Sequence, residues 1–195
     1  MELLIIRHAL PVTIVEAEGP ADPPLTAKGH TQAAAVTEWL RDERIDALYV
    51  SPMQRARQTA HPIALQRAQD PVVRAGLAEF DQHAAEYIPL EVLRETNYEL
   101  WRERMREGTF GDMDPLAFRR TVVETIEAII AGNPGGRVAI VCHGGVINAW
   151  ASHVLKMADV FFCQPGYTSI NRFAAARSGE RTVMSLNETA HLRGI

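Results

Sequence analysis

The sequence predicts an α/β fold, a three-layer α/β/α sandwich built on a mainly parallel sheet, with a helical insertion and a C-terminal pair of strands that reads as an antiparallel edge hairpin. Three observations carry this. The runs Leu3-Leu4-Ile5-Ile6 and Val138-Ala139-Ile140-Val141 are apolar without alternation, as expected of parallel strands covered on both faces. Both runs end abruptly in histidine, the first through Arg7-His8 and the second through Cys142-His143. Between them, short apolar runs alternate with longer segments of helical periodicity, which implies parallel pairing through crossover helices.

Taken in order, Glu2 to Arg7 is the first strand. Gly19, Pro20, Pro23 and Pro24 make residues 12–24 an irregular loop. Thr26 caps a helix from about Ala27 to Arg41, with Ala33, Val36, Trp39 and Leu40 as its apolar stripe and Trp39 in the core. Asp46 to Val50 is a second strand, and Ser51-Pro52 opens a second helix with Pro52 in its first turn. Val72-Val73-Arg74 is a third strand leading to Glu79. From Phe80 to Asp114 the aromatics Tyr87, Tyr98, Trp101 and Phe110 accompany an excess of acidic residues, and regular strands disappear. This is the helical insertion expected to roof the site, with Thr96 to Glu99 as a capping box, Gly108 as a stop, and Asp112 and Asp114 as loop and helix-cap residues. Pro115 to Ala131 is amphipathic and closes at Gly132-Asn133-Pro134-Gly135-Gly136. After the strand ending at Cys142, Gly144-Gly145 opens an apolar helix through about Val154, and Thr168 to Ala175 with Arg181 to Leu186 forms the hairpin.

A length of 195 residues with 47% hydrophobic and 23% charged residues suits one domain spanning 1–195. The net charge of −4 offers no general attraction for nucleic acid or anionic membrane, so an anion site must be assembled locally. No segment resembles a secretory signal or a membrane span, and the expected location is cytoplasmic. Two cysteines, Cys142 and Cys163, make no disulfide framework, and nothing in the sequence calls for a metal or a cofactor. Oligomeric state is not encoded legibly.

Arg7, His8, Arg55, Glu79 and His143 are the candidate site, because ligands of open α/β sheets bind at the carboxyl ends of the strands. Phosphoryl transfer uses these groups well. Guanidiniums neutralise and orient phosphoryl oxygens, a neutral imidazole can attack phosphorus, and a second imidazole beside helix-start amides can stabilise equatorial oxygens. A carboxylic acid can protonate the leaving oxygen and later activate water. The plainer alternative makes Arg7 and His8 a solvated strand cap and the polar start of the Gln54 helix a solvated face. Cys142 as a cysteine-phosphatase nucleophile fails, since its loop would require arginine at Asn148. His30, His61, His153 and His191 read as surface or ordinary buried histidines, and Arg57, Gln58 and His83 as neighbours of the site.

Four segments in order resemble the histidine phosphatase superfamily, the group containing cofactor-dependent phosphoglycerate mutases and many small phosphatases. They are Ile6-Arg7-His8-Ala9, Pro24 to Ala33, Ser51 to Ala60 and Cys142 to Ile147. The resemblance implies His8 as nucleophile, Arg7 and Arg55 as phosphate ligands, His143 and Gly144 in the pocket, and Glu79 as proton shuttle, with Glu86 the competing acid. Two departures stand out. Ala9 replaces the usual glycine and would be strained if that position needs positive φ. Leu10-Pro11-Val12 replaces the polar residues of the mutases, which disfavours mutase activity. The expected function is metal-independent hydrolysis of a small phosphorylated metabolite through phosphohistidine. The alternatives are phosphoglycerate mutase-like transfer, protein phosphohistidine phosphatase activity, and phospho-ligand binding without turnover.

Overall fold

In the computed structural model, which describes residues 1–107 and 113–195, six strands form one mixed sheet. They are β1 (Glu2–Arg7), β2 (Ala47–Val50), β3 (Val72–Val73), β4 (Arg137–Cys142), β5 (Ile170–Ala175) and β6 (Arg181–Glu188), in the order β3-β2-β4-β1-β5-β6. The first four run parallel, and β5 and β6 add an antiparallel edge beside β1. Leu3 and Ile5 of β1 pack into one apolar cluster and Leu4 and Ile6 into another. That two-sided burial is why the strand reads as an unbroken apolar run.

One face is covered by α1 (Ala27–Trp39) and α2 (Gln54–Arg67), which bring Val36, Leu40, Ala56, Ala60 and Ile63 to Leu4 and Ile6. The other is covered by α5 (Pro115–Gly132) and α6 (Gly144–Val154), whose Val122, Ile126, Ile129, Val146 and Trp150 meet Leu3, Ile5 and Ile140. Between them in sequence, α3 (Leu90–Thr96) and α4 (Tyr98–Glu107) form the insertion. No helix among the described residues is long and apolar enough to cross a membrane.

Several local expectations change. Trp39 is 53% exposed, because α1 turns the stripe Ala33, Val36 and Leu40 inward and leaves Trp39 on its flank, over His191. Pro52 lies before the helix, since Met53 is extended and α2 begins at Gln54, whose amide is accepted by the Asp22 carboxylate. The capping box at Thr96 does not form: Asn97 accepts from the Leu100 amide, and the Thr96 hydroxyl donates back to Val92 O, ending α3. Asp114 does cap α5, accepting from the Leu116 amide, whereas Gly108, Phe110 and Asp112 lie outside the described residues. The loop of residues 12–24 is tied to the insertion through an isolated antiparallel bridge between Ile14 and Tyr87 and a bond from Ala21 N to Ala84 O.

Candidate active site

Parallel pairing of β1 with β4 sets Arg7 opposite Cys142, so the residues that follow, His8 and His143, emerge side by side at the carboxyl edge. Their ring centroids are 5.1 Å apart. Arg55, on the first turn of α2, is fully buried beneath them. Thr59, one turn further along α2, locks that helix to the strand end: its hydroxyl accepts from Ala9 N at 2.9 Å and donates to Arg55 O at 2.7 Å. Ala9 is absent from the positive-φ residues, and it packs against Leu25 and Ala33. Alanine at this position is therefore unstrained.

The His8 tautomer follows from one contact. Nδ1 lies 2.8 Å from Ala9 O, and a carbonyl oxygen only accepts, so Nδ1 carries the proton and Nε2 presents a lone pair. Burial, then the guanidiniums of Arg55 and Arg7, hold the imidazole well below its ordinary pKa and keep it neutral. His143 is likewise held well below its ordinary value, by burial first and then by Arg55, His8 and Arg7. Its Nε2 lies 2.7 Å from Ser51 Oγ, and Ser51 Oγ accepts from Met53 N. With Ser51 Oγ as the donor to Nε2, the ring proton sits on Nδ1, which is buried and has no partner among the described residues.

Glu79 is 7% exposed and reaches the start of α6, where Oε2 accepts from Gly145 N at 2.8 Å. A Cβ built on Gly145 would lie 2.2 Å from Glu79 Oε1, so only glycine admits this approach. Burial, reinforced by Asp81, pushes the Glu79 carboxyl up to about 7 against the opposing pull of the Gly145 amide and Arg55. Glu86 is exposed. Gly144 opens α6 beside Arg7, whose Nε would be 3.8 Å from a Cβ placed there. Cys142 is fully buried and burial pushes its thiol pKa up, consistent with an inert core residue.

Sequence reasoning missed a second group around the arginines. Arg7 Nη1 donates to Glu91 Oε1 and to Pro165 O, each at 2.6 Å, and its guanidinium lies 4.0 Å from the Tyr167 ring centre. Tyr167 OH donates to Glu91 Oε2 at 2.9 Å, and its ring centroid is 5.8 Å from that of His8. Arg55 Nη2 donates to Asp81 at 2.9 Å, and its guanidinium lies 4.5 Å from the Tyr87 ring centre. Of these, only Tyr87 stood out as part of the insertion's aromatic cluster; the others had no sequence signal. Gln58 is taken up structurally by Leu25 N, and Arg57 and His83 are exposed.

Comparison with known proteins places the chain in a family and matches its fold. The family model for the histidine phosphatase superfamily (branch 1) matches residues 3–189. A probable phosphoglycerate mutase GpmB of Yersinia enterocolitica is 27% identical over 164 residues, covering 80% of this chain and 76% of that protein. Among solved structures, a phosphoserine phosphatase mutant of Entamoeba histolytica in complex with phosphoserine superposes with a TM-score of 0.76 at 24% identity, covering 98% of both chains. A mycobacterial glucosyl-3-phosphoglycerate phosphatase does so with a TM-score of 0.77 at 21% identity, covering 96% of this chain and 99% of that one.

Proposed function

Because the chain belongs to the histidine phosphatase superfamily (branch 1), we propose that it hydrolyses small phosphomonoesters through a phosphohistidine on His8, without a metal ion. The observation that carries this is the His8–Ala9 hydrogen bond, which leaves a neutral Nε2 lone pair on an imidazole that two guanidiniums keep from protonating. Arg7 and Arg55 would bind and neutralise the phosphoryl oxygens, leaving little for a Lewis acid to do. His143 Nδ1–H and the amides at the start of α6, including that of Gly144, would stabilise the equatorial oxygens as Nε2 bonds to phosphorus and the ester P–O bond breaks. Glu79, protonated at its raised pKa, would give its proton to the departing alkoxide. The resulting carboxylate would then take a proton from water attacking the phosphohistidine, which frees inorganic phosphate and restores both groups.

Hydrolysis is favoured over transfer by Leu10-Pro11-Val12, where Leu10 spends its backbone on α1: its amide donates to Gln32 and its carbonyl accepts from Thr26. The amide, the one donor of the two, is thereby not left to hold a second substrate anion. Brief mixing with labelled substrate followed by alkaline denaturation should leave acid-labile phosphate on the wild-type chain and none on His8→Ala. Equal labelling of both proteins would overturn the assignment of His8. Turnover should persist in excess chelator, and orthovanadate should compete with substrate.

A further inference from the structure

We infer that Glu91 makes this a site for phosphomonoesters whose leaving group carries an ammonium, a phosphorylated amino alcohol, and selects against leaving groups that carry a carboxylate. The inference rests on the phosphatase reading above. Arg7 offers more than one side to its surroundings. Its Nη1 is occupied by Glu91 Oε1 and Pro165 O, whereas Nε is buried without a partner among the described residues and lies beside the start of α6. The Nε side is therefore what remains for the phosphoryl group, and Glu91 keeps its place when phosphate binds. Tyr167 steadies it from the other side through Oε2.

Glu91 consequently stays as a fixed charge in the pocket wall, one guanidinium away from the nucleophile. Burial opposes its ionisation, but Arg7 and the hydrogen bonds it receives leave its carboxyl below the ordinary value. The side chain is 32% exposed, and two of the roughly four acceptor positions of a carboxylate are used by Arg7 and Tyr167. Acceptor capacity therefore remains on a side chain that solvent reaches. Asp81 on Arg55, and Asp22 with Oδ1 3.9 Å from Arg55 Nη1, extend the same sign. Among the described contacts of Arg7 and Arg55 there are three carboxylates, two tyrosine rings and a backbone carbonyl, and no third cation. The two arginines are committed to the phosphoryl group, so among the described groups around them a leaving-group carboxylate finds charges of its own sign, while an ammonium finds Glu91.

The test compares ethanolamine phosphate, its uncharged isostere propyl phosphate, and 3-phosphoglycerate, with phosphate release measured on wild type, Glu91→Gln and Asp22→Asn. Wild type should prefer ethanolamine phosphate to propyl phosphate by about fivefold in kcat/KM, the scale of one half-exposed ion pair, and should disfavour 3-phosphoglycerate. Glu91→Gln should bring both ratios toward one, even if looser positioning of Arg7 lowers all three rates, because a merely structural role moves the rates and not the ratios. An unchanged ratio in Glu91→Gln, a shift confined to Asp22→Asn, or a wild-type preference for 3-phosphoglycerate would each overturn the inference. If no ester is turned over, the phosphatase reading fails separately, and the same ratios read as affinities by calorimetry on the wild-type chain still decide the charge preference.

Discussion

A carboxyl group that must donate a proton and then accept one works best when its pKa lies near the working pH, and Glu79, pushed up to about 7, meets that condition. In the proposed mechanism its acid role would matter for alkoxide leaving groups and hardly at all for phenolates. Glu79→Gln is expected to slow alkyl phosphates by roughly a hundred- to ten-thousand-fold, the range of general acid catalysis, and to slow phosphorylation by nitrophenyl phosphate much less. Stopped-flow bursts on the aryl ester should become larger, since the base for water is lost as well. Alkyl turnover by the wild type should also fall above pH about 7, where Glu79 loses its proton, while aryl phosphorylation should not follow that limb. Glu86→Gln, at an exposed position, should leave both unchanged; exchange of the two behaviours would assign the acid to Glu86. Sequence alone left these two glutamates competing, because Ala78-Glu79-Phe80 is a short match. What sets Glu79 apart is its burial and its contact with Gly145, which the chain makes only after folding.

At the scale of elements, the site depends on how the start of α1 meets the end of β1. Leu10 O accepts from the Thr26 amide and hydroxyl, and a Cβ built on Gly29 would lie 2.2 Å from that same carbonyl oxygen. Backbone cannot swing aside as a flexible side chain can. Gly29→Ala should therefore destabilise the fold by about 1–3 kcal/mol, the usual cost of overpacking, despite the better helix propensity of alanine. Urea denaturation should show it, and an unchanged midpoint would refute the close approach. Gly29 was legible only as a member of a resembling segment; its physical reason is this contact. Strands and buried helices were legible because two-sided burial writes itself as unbroken apolar runs. Trp39, Pro52 and Thr96 were misread for a shared reason: each sits at the margin or end of an element, where a tertiary neighbour decides the outcome. The insertion was legible as a helical segment, but its acids at the arginines were not, since Arg7 and Glu91 lie 84 residues apart.

Across the whole molecule, the two ends of the sheet use charge differently. At the amino ends of β1 and β4, Glu2 and Glu43 pair with Arg137 and Arg172, a network of partly exposed ions that opposes few desolvated charges. At the carboxyl ends, imidazoles are held neutral and a carboxyl has its pKa raised toward neutrality, at a cost in stability. That cost has a sign that can be measured. The pKa of Glu79 rises on folding from 4.5 to about 7, so between those values the native state binds more protons than the unfolded chain, and its stability falls as pH rises. The contribution amounts to about 3 kcal/mol at most. His8 and His143 act oppositely, because pKa values lowered on folding make the native state gain stability as pH rises toward 6.5. Their effect is common to wild type and Glu79→Gln, and the difference between the two proteins isolates Glu79. Unfolding free energies from urea titrations at pH 5 and pH 8 should show Glu79→Gln gaining on the wild type as pH rises. A single amide oxygen cannot accept from Gly145 and Phe80 as the two carboxylate oxygens do, which offsets the gain by a constant and leaves its pH dependence intact. A difference that stays flat with pH, or that shrinks as pH rises, would mean that Glu79 is not held protonated by the fold.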